Sequence, residues 1–235
     1  REPGEKEPKI WEIYVDVGAS SDKEVAELGL RVGHVGVYCD GPMLMNESKL
    51  VCRALDNRLS GFVLSEIARK LCKLKKPLAW NVMLVNAVQE EVGCIGAGMI
   101  THRLRPDAAI CIDVTHATDS PGLDKGKFGD IKLGGGPAVI HGTANHPNLV
   151  ARLEIVADKN KIPLQHEAAG RRTGTDTDSI YVSRNGVASA LVSLPLRYMH
   201  SPVETAALTD VENTIKLLLE LIKSLKPEDT FGHKL

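Results

Sequence analysis

The sequence carries no excess of charge of either sign, with 29 Lys plus Arg against 30 Asp plus Glu. Nor does it have a basic stripe with interleaved aromatics, which argues against nucleic acid or a membrane surface as its main partner. No apolar run approaches the length of a bilayer span, so no transmembrane helix is predicted. No leader-like segment opens the chain, and the expected compartment is the cytoplasm. There is no C-x-x-C pair. The five cysteines, Cys39, Cys52, Cys72, Cys94 and Cys111, are odd in number and scattered. That fits reduced thiols buried as small hydrophobes better than a disulfide framework or a zinc knuckle. Internal repeats and low-complexity tracts are also missing. The first residue is Arg1 rather than Met, which fits a processed, cloned or truncated start.

What is there is 235 residues, enough to bury the core of one α/β domain with a small appendage. Residues 1–9, charged and proline-bearing, read as a frayed end, and His233 lies in a loose tail. Residues 11–17 (WEIYVDV) alternate like a strand, 21–28 suit a short helix capped by Ser20 or Ser21, and 31–40 read as a second strand in which His34 marks a turn. This glycine-broken opening is expected to be β-rich. From about Leu50 the pattern changes. Helices are predicted over 60–73, 96–104, 148–160 and 209–225 from their apolar periodicity. Strands are predicted over 81–88, 108–114, 162–168 and 190–196, with a short helix within 175–186. Alternating strands and helices imply a mostly parallel central sheet covered on both faces.

The stretch VQEEVGCIGAG, residues 88–98, poses a geometric problem. Neighbouring residues on a strand point to opposite faces, so a regular strand cannot aim both Glu90 and Glu91 at one place. Either one acid is simply solvated, or the strand ends here and the two share a site in different roles. Gly93, Gly96 and Gly98 follow, where the chain must turn tightly and allow close approach. Other polar residues fall at or beyond the ends of apolar strands: Asp56, Asp113, the cluster from Thr173 to Asp178, and His200. In open α/β sheets that edge binds ligands. Carboxylates and imidazole without clustered thiols suit zinc, cobalt or manganese. Taken singly, Asp56 also reads as a turn or helix-cap residue, and His200 as an ordinary hydrogen-bonded histidine. Asp113 lies inside an apolar strand, where an ionised carboxylate needs a partner. His116, His141, His146 and His166 read as surface histidines or as supports behind the site.

Together, ALDNR, VQEEVGCIGA, IDVTHATDSPG, KLGGGP, GTDTDS and SLPLRYMHSPVE resemble, in order and spacing, the glutamyl-aminopeptidase group of co-catalytic metallo-aminopeptidases. That group includes the tetrahedral dodecameric (TET) peptidases and endoglucanase-like relatives. The resemblance covers roughly residues 11–225. It implies a zinc-peptidase fold of the phosphorylase/hydrolase-like kind, with residues 1–48 as part of a PDZ-like inserted dimerisation domain and 49–235 as the catalytic domain, incomplete on its N-terminal side. It implies two divalent ions, zinc or cobalt with manganese as a further candidate. Asp56 would bridge the two ions. Glu90 would be the general base, Glu91 would bind one metal and Asp113 the other, and His200 would complete a shell. Substrate-binding roles would fall on Gly135 and Gly136, through backbone contacts to an extended peptide, and on Thr175 and Asp176. For the glycines a flexible surface loop explains the sequence equally, and Asp176 and Asp178 equally read as helix caps.

Short peptides are the expected substrates and a dimer-based homo-oligomer, up to a dodecamer, the expected assembly of the full-length form. The family's first ligand, a histidine in an H-x-D motif, has no counterpart here. The match starts inside the inserted domain, so a truncated or partly recorded enzyme is expected. Two other readings remain: a non-catalytic or metal-deficient assembly subunit, and an amidohydrolase of N-acyl amino acids. A glycosidase fits poorly, because its two carboxylates must stand apart across a sugar cleft.

Overall fold

The structure, a computed structural model, describes residues 9–232. His233 and all but the last residue of the expected frayed end lie outside that range. The chain divides into two units, Arg1–Cys39 and Asp40–Leu235.

The described part of the first unit holds a 3-10 turn at Ile10–Glu12 and helix α1 (Asp22–Glu27). The Ser21 hydroxyl accepts the Glu24 amide at 3.3 Å, the capping expected from sequence. The two strands expected over 11–17 and 31–40 are not formed. An alternating pattern makes a strand only where a neighbour takes its hydrogen bonds and a layer covers its apolar face. Trp11, Tyr14, Val15 and Val35 have no such cover and are exposed. No strand forms among the described residues of this unit.

The second unit runs β1 (Met43–Met45), β2 (Lys49–Val51), α2 (Leu55–Leu71), α3 (Ile95–Leu104), β3 (Ala108–His116), α4 (Lys125–Phe128), β4 (Ala138–Gly142), α5 (Pro147–Lys159), β5 (Gln165–Ala169), α6 (Thr177–Ile180), β6 (Ala188–Leu196), β7 (Thr205–Ala207) and α7 (Leu208–Ser224). The main sheet has the order β3-β6-β4-β5. β3 pairs parallel with β6 and β4 parallel with β5, but β4 runs antiparallel to β6. The sheet is thus mixed rather than mostly parallel, because β4 enters between β6 and β5 in the reverse sense. β4 itself, Ala138-Val139-Ile140 after a glycine turn, was not anticipated.

Side-chain alternation sends the two faces of the sheet into different layers. Val139, Val192, Leu194 and Leu196 pack with Val63 and Ile67 of α2, Leu149 and Leu153 of α5 and Leu217 of α7, all essentially sealed from solvent. On the other face Cys111, Ala138, Ile140 and Leu191 meet Ala97 of α3 and Ile180 of α6. A small second sheet, β1-β2-β7, joins residues 49–51 to 205–207 in antiparallel register.

Residues 81–88 depart from expectation. They are extended but pair with no strand among the described residues, and Met83 and Val88 are exposed. Their apolar composition is that of a buried strand; what is lacking is a partner for its backbone. A groove of about 1380 Å³ is lined by this segment and by residues 108–113 of β3. On that side β3 is itself an unpaired edge.

Candidate active site

The groove ends at a group of acids. Asp56 opens α2, where it and Asn57 have non-helical backbone angles. Glu90 and Glu91 sit on the turn between the extended segment and α3. Asp113 lies inside β3, and His200 follows β6. Asp56, Glu91 and His200 each present a donor atom, and the three atoms lie within 4.8 Å of one another. His200 Nε2 stands 3.0 Å from Asp56 Oδ2 and 3.8 Å from Glu91 Oε2.

The backbone is bent to achieve this. Ala54, Gln89, Tyr198 and His200 all have left-handed φ, at 55°, 62°, 59° and 63°. Each costs roughly 1–2 kcal/mol in a non-glycine residue, and such strain concentrates at functional sites. At Gln89 the left-handed turn breaks the strand geometry immediately before the two acids. Gly96 is obligatory here, since a Cβ on it would lie 2.3 Å from the Val88 carbonyl oxygen. That close approach seats the first turn of α3 against the acid-bearing turn.

Asp113 is only 5 % exposed. Its Oδ1 accepts from the Asn57 side-chain amide at 2.9 Å and from the Val114 amide at 2.8 Å. Burial above all pushes its pKa up to about 8, with Asp56 and Glu90 adding repulsion. Burial likewise raises Asp56, Glu90 and Asp176, reinforced at Asp56 and Glu90 by the Glu91 charge. Carboxylates crowded against so little positive charge favour a cation among them. Two carboxylates and an imidazole at these separations fit a zinc, cobalt or manganese ion.

Two residues beside the site gave no separate signal in the sequence. Glu204, 2 % exposed, accepts the Asp56 amide at 3.1 Å with one oxygen and the His200 amide at 2.7 Å with the other. It clamps the two donor-bearing segments together. Its presence in SPVE, four residues after His200, was the available clue. Cys94 donates its thiol to Glu90 Oε1 at 3.6 Å, and burial followed by the Glu90 charge pushes the thiol up to about 12.

The residues expected to contact substrate separate into two groups. Thr175 is buried in a hydroxyl chain with Thr173 and Thr177. Asp176 lines the groove, and its buried Oδ1 has no hydrogen-bond partner among the described residues. β5 ends at the opposite end of the sheet from β3 and β6, so this segment doubles back to reach Glu90, whose pKa its charge raises. The glycine loop lies elsewhere. Gly134 and Gly136 donate their amides to the buried Asp210 carboxylate, both at 2.8 Å, and Gly135 donates to the Lys132 carbonyl. The three amides thus serve the fold, and none of the three glycines lines the groove.

Comparison with known proteins gives the family. The profile of the M42 glutamyl aminopeptidase family matches residues 1–217. The lysyl aminopeptidase of Pyrococcus furiosus is 40% identical over 231 residues, covering 97% of this chain and 65% of that protein. Among solved structures, aminopeptidase APDkam598 from the archaeon Desulfurococcus kamchatkensis superposes with a TM-score of 0.88 at 34% identity, over 96% of this chain and 63% of that one. The Pyrococcus horikoshii TET1 peptidase, which can assemble into a tetrahedron or a large octahedral shell, gives 0.72 at 27%, over 89% and 60%. The chain therefore spans less than two thirds of the length of these relatives. By profile, identity and fold, it belongs to the M42 glutamyl aminopeptidase family.

Proposed function

We propose that this chain carries the hydrolytic centre of a metal-dependent aminopeptidase that removes N-terminal residues from short peptides. The observation that carries the reading is the convergence of the Asp56, Glu91 and His200 donors beside Glu90, at the end of a groove, in a member of an aminopeptidase family. Asp56, Glu91, Asp113 and His200 would hold the metal, zinc or cobalt by donor type. Divalent ions supply such a site with a lowered pKa for water and a polarised scissile carbonyl.

Glu90 takes the proton of the attacking water and returns it to the leaving amine. Its raised pKa suits that exchange, because a base poised nearer neutrality can both accept and give back a proton. Glu91, on the neighbouring residue, turns to the metal, so the two acids divide the work. Asp176, with its unpartnered buried oxygen, receives the free α-ammonium of the peptide. In the same reading residues 1–48 belong to an inserted dimerisation domain, and the full-length protein is a homo-oligomer. The TET1 assemblies support that last step.

The test uses the chain loaded with zinc or cobalt, with aminoacyl and N-acetyl-aminoacyl p-nitroanilides. Hydrolysis is expected only where the α-amine is free. Glu90→Gln is expected to retain metal by elemental analysis while losing roughly 10²–10⁴-fold in turnover. Equal hydrolysis of the blocked substrates would replace the reading with an N-acyl amidohydrolase. No bound metal and no turnover would replace it with a non-catalytic subunit.

A further inference from the structure

On the α5 side of the sheet, among residues that do not line the acidic groove, two histidines and a glutamate meet. His141 is on β4 and His166 on β5, and parallel pairing sets Val139 beside His166. By alternation His141 shares the face of the buried Val139, and His166 points the same way. Both rings therefore rise toward α5, which contributes Glu154. His141 Nε2 and His166 Nδ1 are 3.0 Å apart, with the rings stacked at 26°. Glu154 Oε1 lies 3.8 Å from the first nitrogen and 3.6 Å from the second. It is too distant to accept a hydrogen bond from either.

We propose that His141, His166 and Glu154 form a second divalent-metal site, separate from the groove, that takes zinc and pins edge strand β5 to β4 and α5. Three points lead there. First, ligands about 2.0–2.1 Å from a tetrahedral zinc stand about 3.3 Å from one another, and the three observed separations bracket that value. An ion would draw in the carboxylate and replace the single proton that the two rings now share. Second, two imidazoles and a carboxylate are a zinc ligand set that leaves one position open. A pocket of about 330 Å³ beside it, lined by His141, Gly142, Asn145 and Glu154 among others, gives room for water there. Third, His141 and Glu154 sit on elements packed on the main core, through Val139 of β4 and through Val150 and Leu153 of α5, and His166 sits on β5, which is held in parallel register against β4. The donors are thus held before any ion arrives. Imidazole donors favour zinc, nickel or copper over magnesium and calcium.

The experiment titrates Zn²⁺ into the full chain carrying His200→Ala and Glu91→Gln, which removes the competing donors of the groove. Binding is read by calorimetry and by elemental analysis after desalting. One zinc per chain is expected. Adding His141→Ala and His166→Ala should weaken binding at least about a hundredfold. Zinc at a hundredfold excess over Kd should raise the thermal midpoint by about 5 °C or more in the first variant and leave the second unmoved. Magnesium should do nothing to either. Both histidines are half exposed, so alanine leaves no cavity, and circular dichroism confirms that each variant is folded. Zinc binding that is absent from the first variant, or unchanged by the two alanines, overturns the proposal. A parent chain with intact groove donors serves as the control, so failure here leaves the aminopeptidase reading untouched.

Discussion

Glu204 organises the site without belonging to its donor set. A buried carboxylate that accepts two backbone amides fixes the positions from which Asp56 and His200 project. Removing it leaves two amides unsatisfied in a dry environment. Glu204→Ala is expected to cost about 2–5 kcal/mol in urea unfolding and roughly 10–100-fold in metal affinity, as for other groups that orient ligands. Glu204→Gln, which keeps one acceptor oxygen, should lose less on both measures. The five residues most responsible for the proposed chemistry, Asp56, Glu90, Glu91, Asp113 and His200, stood out in the sequence through the motifs that carry the family resemblance; singly, Asp56 also reads as a cap and His200 as an ordinary histidine. Glu204 and Cys94 were not, since a buried glutamate and a thiol beside an acid announce themselves only through their contacts. His141 and His166 look ordinary in sequence for a related reason: cross-strand neighbours 25 residues apart leave no local pattern.

Among the elements, periodicity was a good guide wherever an element packs on something. α2, α3, α5 and α7 and strands β3, β5 and β6 all lie within or across the ranges expected for them. The failures were of two kinds. β1, β2 and β7 have three residues each, too few to show alternation, and β4 is masked by the glycine turn before it. Residues 11–17, 31–40 and 81–88 have the alternation or composition of strands but no partner among the described residues. Packing also separates two helical glycines that look alike in sequence. Gly96→Ala would drive a methyl into the Val88 backbone and should cost about 1–3 kcal/mol, displacing Glu90 and Glu91 with it. At Gly61, inside α2, a methyl meets nothing within 4 Å, and Gly61→Ala should stabilise by about 0.5–1 kcal/mol. Paired urea denaturation curves check both signs.

At the scale of the whole molecule, charge pairs across distant segments give stability a pH dependence outside the site. Arg197, just after β6, grips Asp119 through two hydrogen bonds of 2.8 and 2.7 Å. That contact, chiefly the hydrogen bonding itself, holds the Asp119 carboxyl below its usual 3.8. A depressed folded pKa means the stabilisation is complete above the unfolded value and lost as pH falls through the folded one. Asp119→Asn should therefore reduce stability by about 1.5–3 kcal/mol at neutral pH, with the difference from the parent shrinking only below about pH 4. Denaturation midpoints measured between pH 7 and pH 3 would show it. The clamp at Glu204 has a consequence for how the molecule comes together. It joins positions 148 residues apart, and the β2–β7 pairing closes the same long loop. No contiguous stretch of chain holds both Asp56 and His200 without most of the second unit, its whole main sheet included, between them. On the proposed reading, ion capture in the groove would require this long-range closure to be in place. Bound metal would then be expected to slow exchange of amides that open only in global unfolding, rather than to protect one local patch, which hydrogen exchange with and without added zinc would show.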